Sequence, residues 1–372
     1  MPVLAGFFIM GLCDMVAPVS GRIAEEFPAE SQGAVSFLPS MVFLWFLLLS
    51  TPFASLMNRW GRKTTATVGY AFTVTGMMIP YLAGRECSLI WYFVGFGLLG
   101  VGNIFVQVAI NPLLATSVPS NRMTSFLTVG QIFRNIALLI IGPLVTVAAA
   151  WTGSWKLILP IYGFLTILGG VWLQMTSVPE PEKCEKVAGV KDCFRLLKNS
   201  RVLMSAIGIG TFIAADVAIN FVAVRLIDNP SSILTSTGFY ASRILGTLIG
   251  AWVLAHYSDV KYLRGNMLVA LVLIVVLLLT QNSVMIYVAM AVMGFVFACV
   301  FATFYAVATK AVPDKANEVA GLMIMMISSG AISGPVCESL IQWTGNTSMG
   351  FLFPLVCIVY MLVASLKLDK NK

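Results

Sequence analysis

Three carboxamide side chains, Asn103, Gln107 and Asn111, recur at i, i+4 and i+8 inside an apolar stretch from Leu89 to Leu114. On a helix that spacing places them along one face. Hydrocarbon offers amides no hydrogen-bond partner, so the stripe must face protein or a water-filled cavity. Carboxamides both donate and accept, which suits holding a hydroxylated solute rather than breaking bonds. The next apolar stretch carries Gln131, Arg134 and Asn135 in its body, and Asp14, Asp216, Glu338 and Arg243 also lie within such stretches. A charge at the bilayer centre is costly, so each of these is expected to pair, to handle substrate, or both. Asp14 is the candidate for carrying a coupling proton, with a structural pair to Arg134 as the alternative. Asp216 and Arg243 sit on consecutive helices and read equally as a pair or as part of a site, with Asn220 and Tyr240 close in sequence. Glu338 lies toward a helix end where water reaches it and reads more readily as structural. The candidate substrate contacts are thus Asn103, Gln107, Asn111, Gln131 and Arg134, followed by Asp216, Asn220, Tyr240 and Arg243.

The frame that must hold these groups is apolar. Of 372 residues, 59% are hydrophobic and 10% are charged, against roughly 25% charged in a soluble domain. Runs of about 18 or more apolar residues read as spanning helices, here near 2–20, 34–57, 64–83, 88–115, 122–150, 156–177, 202–226, 232–256, 265–281, 283–310, 316–342 and 347–367. The expected fold is therefore an all-α integral membrane protein of twelve transmembrane helices. With the N-terminus inside, the inner loops and helix ends hold seventeen basic residues, and the outer side holds only Arg22, Arg85, Lys156 and Arg225. That bias sets both termini in the cytoplasm.

The longest polar segment, 178–200, falls after six helices and before six more. It divides the chain into an N-terminal half (1–177), a cytoplasmic linker and a C-terminal half (201–372). A faint repeat joins the halves: Asp14 and Asp216 lie at similar depth in the first and seventh helices, and the loops after the second and eighth are charged. Two pseudo-symmetric six-helix halves with polar groups inside the membrane form the pattern of alternating-access transport.

Other chemistry is excluded or weak. The net charge of +7 is spread over short loops, which argues against nucleic acid. The seven cysteines show no metal-ligand spacing, and His256 stands alone. No nucleotide-binding glycine loop or nucleophile–base set occurs, so no cofactor, metal or enzymatic activity is expected. The N-terminal run lacks the basic segment of a cleavable signal peptide. Trp45, Tyr240, Trp252, Phe304 and Tyr305 lie in spans and could cover the C–H face of a sugar, although such aromatics more often pack or face lipid. The pairs Gly246/Gly250 and Gly330/Gly334 allow close helix approach.

The loop Ala54-Ser-Leu-Met-Asn58-Arg59-Trp-Gly61-Arg62-Lys63 resembles the signature between helices 2 and 3 of the major facilitator superfamily, with Asn58 where that pattern has aspartate. The resemblance implies a gating role for Asn58, Arg59, Gly61, Arg62 and Lys63. More narrowly, Asp14-Met-Val-Ala-Pro18, Gln107-Val-Ala-Ile-Asn111-Pro112, Gln131-Ile-Phe, Arg243-Ile-Leu-Gly246 and the stretch from Ser329 to Asn346 are similar to motifs of the fucose permease group of sugar:proton symporters. That group has glutamate where Gln107 stands and tends to have asparagine at Arg134, so one acid is removed and one base added. The expectation is a secondary active transporter of a small polar solute, a monosaccharide first, with a proton or sodium as coupling ion. It is expected to act as a monomer in a lipid bilayer, the bacterial inner membrane. A facilitator or exporter of another solute such as an organic anion, or a non-transporting sensor, are the alternatives.

Overall fold

The computed structural model describes residues 2–24, 26–27, 34–35, 37–84, 88–178, 189–227 and 232–370. Arg85, Lys183, Lys186 and Lys372 lie outside the described residues, as does the linker segment 179–188. So do the side chains of Pro18 and Lys370.

Helices dominate. They are α1 (Pro2–Cys13), α2 (Val16–Ala24), α3 (Phe37–Trp60), α4 (Arg62–Leu82), α5 (Leu89–Thr116), α6 (Met123–Thr152), α7 (Ile158–Met175) and α8 (Val190–Arg195). They continue as α9 (Ser200–Leu226), α10 (Ser232–His256), α11 (Asp259–Leu279), α12 (Ser283–Phe297), α13 (Val300–Ala311), α14 (Ala316–Met325), α15 (Gly330–Thr344) and α16 (Leu352–Lys370). Among the described residues, ten stretches are long and apolar enough to cross a bilayer. The α1–α2 segment and α4 bring the spans to the expected twelve. α4 is less apolar because it carries several threonines. The hydroxyls of Thr65, Thr67 and Thr75 donate to carbonyls one turn back, at 2.7, 3.0 and 2.9 Å, so they enter hydrocarbon already satisfied.

Three spans expected to be continuous are broken. The first is interrupted by a turn at Asp14 and Met15, where the Asp14 N–H is shared between the Met10 and Gly11 carbonyls at 3.2 Å each. Another breaks at Ala298 and Cys299, between α12 and α13. A third passes through a 3-10 turn, Met326–Ser329, between α14 and α15. The last is marked in the sequence by Ser328-Ser329-Gly330, and the first by Pro18, which has no N–H for the Asp14 carbonyl four residues back. The two shortest connectors hold as expected. Asn282 caps α12 by accepting the Val284 and Met285 N–H groups at 2.9 and 3.3 Å, and a 3-10 turn over Trp155–Leu157 leads into α7. The polar segment contains α8 followed by a 3-10 turn, with Cys193 and Leu196 buried.

α7 shows how the helices meet their surroundings. Its buried face is small or mixed (Tyr162, Gly163, Thr166, Gly169, Gly170, Leu173), while Phe164, Ile167, Leu168, Val171 and Trp172 are exposed. Large apolar side chains outward and small ones inward is the arrangement of a helix bathed in lipid.

Contacts divide the chain into two compact units. Unit 1 comprises Met1–Ser117, Phe133–Cys193 and Ala320–Met325, and unit 2 comprises Val118–Ile132, Phe194–Val319 and Met326–Lys372. In unit 1, α4 and α5 pack closely through glycine: a Cβ on Gly76 would lie 2.5 Å from the Gly95 carbonyl oxygen. α1 and α6 approach just as tightly, since a Cβ on Gly11 would lie 2.5 Å from the carbonyl oxygen of Arg134.

Candidate functional site

The contact at Gly11 sets the site of unit 1. It brings the backbone of α6 at Arg134 against α1 one turn before Asp14, and the turn at Asp14 directs the carboxylate to meet it. Arg134 Nε donates to Asp14 Oδ2 at 2.7 Å. From α5, Asn103 Nδ2 donates to Asp14 Oδ1 at 3.0 Å. Gln107 Nε2 donates to Asn103 Oδ1 at 3.1 Å, and Asn111 Nδ2 to the Gln107 carbonyl at 2.8 Å. The stripe, the acid and the arginine therefore form one connected chain of hydrogen bonds.

Its ends are incomplete. Gln107 Oε1 and Asn111 Oδ1 are buried acceptors without a partner, although Asn103, Gln107 and Asn111 are all fully buried. Buried polar groups are rarely left so. The Asp14 and Arg134 side chains are each 18% exposed. Trp45 of α3 lies beside the same face of α5, its Cδ1 3.2 Å from where a Cβ on Gly100 would stand, and its Nε1 has no partner. Such an array can accept hydroxyl donors, offer guanidinium donors and hold one proton on a carboxylate.

Unit 2 holds the second acid–arginine pair in another form. Both terminal nitrogens of Arg243 reach Asp216, Nη1 to Oδ2 at 3.2 Å and Nη2 to Oδ1. The guanidinium carbon lies 4.6 Å from the Phe239 ring centroid and 5.8 Å from that of Tyr240, within cation–π range. Asn220 Nδ2 donates back to the Asp216 carbonyl at 2.9 Å, leaving Asn220 Oδ1 unpaired. Gln131, grouped with unit 2, is buried with Nε2 unpaired. Phe304 and Tyr305 are fully buried, whereas Trp252 is 62% exposed and faces outward. Glu338 pairs with Arg225 and accepts from Gln342 Nε2 at 3.1 Å.

The loop after α3 is built around Gly61, whose φ of 88° favours glycine. Arg62 is buried, and its Nη1 donates to the Pro112 carbonyl at 3.0 Å and to Thr116 Oγ1 at 2.7 Å. Lys63 Nζ donates to the carbonyls of Gln174 and Thr176 at 2.8 Å each. Both side chains cap helix C-termini, of α5 and α7, where cations are favoured. Arg59 is exposed and Asn58 half-buried.

Two clusters were not singled out from the sequence. Glu26 accepts from Tyr92 Oη at 2.6 Å and Trp155 Nε1 at 2.7 Å and pairs with Lys156 at 3.2 Å. Asp259 accepts from Thr124 Oγ1 at 2.7 Å and Lys310 Nζ at 2.8 Å. Each lies near a helix end, where a charge is unremarkable in sequence.

Known proteins point the same way. The chain is 22% identical over 392 aligned residues to a Helicobacter pylori protein provisionally named a glucose/galactose transporter, covering 97% of this chain and 94% of that one. It is 21% identical to a Brucella abortus glucose/galactose transporter, covering 85% and 81%. The fold matches the crystal structure of the transporter FucP in the outward conformation, with a TM-score of 0.88 and 15% identity over 99% of this chain and 97% of that one. A variant of FucP, the fucose:proton symporter of E. coli, matches with a TM-score of 0.86 and 14% identity over 99% and 97%. The family profile of the Major Facilitator Superfamily matches residues 3–335. The chain is an integral membrane protein that belongs to the major facilitator superfamily.

Proposed function

We propose that the protein is a secondary active transporter of a monosaccharide, coupled to protons through Asp14 and working by alternating access. It is a carrier and not an enzyme. The observation that carries this reading is the chain from Arg134 through Asp14 and Asn103 to Gln107 and Asn111, with a partly open carboxylate at one end and unpaired acceptors at the other. A carboxylate with access to water can take up and release a proton, and amide oxygens without donors suit sugar hydroxyls. The relatives named for glucose and galactose and the fold shared with a fucose:proton symporter agree with it. In unit 2, Gln131, Asp216, Asn220, Tyr240 and Arg243 are the further proposed substrate contacts. Asn58, Arg59, Gly61, Arg62 and Lys63 set the rate by bracing the inner helix ends.

The test is proton flux in weakly buffered proteoliposomes on addition of single monosaccharides. Sugar-dependent proton uptake supports the symporter, and sugar flux without proton movement supports a facilitator. Saturable binding without flux supports a sensor.

We also place the protein in the bacterial inner membrane as a monomer with cytoplasmic termini, on the strength of the basic inner loops. An Ala188→Cys label site in a cysteine-free background should resist an impermeant reagent in intact cells. Ready labelling would reverse the topology.

A further inference from the structure

We infer that the solute brings its own negative charge: the site of unit 1 takes an anionic monosaccharide of the uronate or aldonate class together with one proton, and moves the two without net charge. The inference rests on the reading of unit 1 as a sugar and proton site.

Three observations carry it. The first is the charge inventory around Asp14. α1, α5 and α7 contain no charged residue, and α6 contains only Arg134. The remaining charges of unit 1 helices stand at their ends, Arg22 on α2, Arg59 on α3, and Arg62 and Lys63 on α4, or on the short α8, Lys191 and Asp192. Glu26 and Lys156 pair with each other outside the helix bodies. The neutral polar groups beside it are Asn103, which donates to Asp14, and the preceding residue Cys13, which meets Thr73 at 3.5 Å. Among the described residues of the unit 1 helix bodies, Asp14 and Arg134 therefore balance only each other.

The second is the state of Arg134. It engages Asp14 through Nε alone, and its two terminal nitrogens have no partner among the described residues while the side chain is 18% exposed. A guanidinium fork left open in this way matches a carboxylate in two-point contact. The third is the pair of buried acceptors, Gln107 Oε1 and Asn111 Oδ1, which lack donors. A ligand with a carboxylate for the fork and hydroxyl donors beside it supplies the partners that Arg134 and Gln107 Oε1 lack.

The coupling follows from charge balance. When Asp14 takes a proton on Oδ2, Arg134 is left as an unbalanced cation inside the membrane, a disfavoured state. A substrate carboxylate on the open fork replaces the lost negative charge. Proton and anion each make room for the other, and on release the proton leaves Oδ2 as Arg134 returns to Asp14. A neutral sugar cannot do this, because its binding with a proton leaves the site with one positive charge.

The experiment uses the purified full chain in proteoliposomes with an inward proton gradient. It compares labelled D-galacturonate and D-glucuronate with D-galactose and D-glucose, with and without a potassium diffusion potential. The expected result is uronate accumulation that the proton gradient drives and the potential leaves unchanged, with weak competition by the hexoses. Hexose accumulation that responds to the potential, with no uptake of uronate, would overturn the inference and leave the sugar:proton reading standing. Transport of neither class would overturn both. In Arg134→Asn, KM for the uronate should rise about 10- to 100-fold, the effect of losing a charge-assisted contact, while hexose binding holds or improves. Equal loss for both classes would make Arg134 structural and end the inference. If that variant does not fold, the response of the wild type to potential decides alone.

Discussion

The two units each bury an acid–arginine pair, and the pairs are built for different ends. In Asp216–Arg243 both carboxylate oxygens are taken by both terminal nitrogens, and Phe239 and Tyr240 lie against the guanidinium. The arginine side chain is 10% exposed. In Asp14–Arg134 one nitrogen meets one oxygen, the second oxygen is held by Asn103, and the fork stays open. The same two residue types thus make a two-point staple in one place, with Arg243 Nε left buried and unpaired, and a one-point contact with an open fork in the other. The difference lies in which arginine nitrogens are used and in what surrounds them. Charge pairing inside a membrane is therefore not by itself a sign of function.

Breaking the staple should have the largest effect on stability. Arg243→Met leaves Asp216 buried without its partner, a loss of about 3–5 kcal/mol. Thermal unfolding of purified protein in detergent should show a much lower midpoint, or the variant should fail to accumulate. Arg134→Asn should cost less, about 1–3 kcal/mol, since Asp14 keeps Asn103 and some water. Equal losses in the two variants would erase the distinction between the pairs.

The sequence carried most of this contrast but not its sense. The twelve spans followed from apolar runs, and the stripe on α5 from i, i+4 spacing, because both depend on local pattern. Asp216 and Arg243 lie on consecutive helices, so a pair between them is one of the two readings that the sequence offers. The openness of Arg134 was not legible, since it depends on Gly11 setting α1 against α6 and on which of the Arg134 nitrogens meets Asp14. The Glu26 and Asp259 clusters were missed for a similar reason: their partners come from segments remote in sequence. The contacts of Arg62 and Lys63 were equally hidden, because basic residues in an inner loop already have an explanation in topology.

Two smaller effects sharpen the comparison. Gly11→Val should force α1 from α6, with strain of about 1–3 kcal/mol, and should impair proton-driven uptake more than the amount of folded protein. Arg62→Ala removes the cap from α5 and should cost about 1–3 kcal/mol. It should lower turnover with little change in substrate affinity, as read from transport rates and equilibrium binding. The smallest effect is expected at Trp252, which is 62% exposed. Trp252→Ala should leave transport near wild type, whereas Trp45→Ala, beside the α5 stripe, should weaken binding.

The most direct measurement sets Asp14→Asn beside Asp216→Asn in proteoliposomes with matched amounts of folded protein. Each is assayed for proton-driven accumulation and for substrate exchange without a gradient. The account predicts that Asp14→Asn keeps exchange and loses accumulation, while folded Asp216→Asn still accumulates substrate on a proton gradient and changes substrate affinity alone. Normal accumulation in Asp14→Asn, with coupling lost in Asp216→Asn, would contradict it.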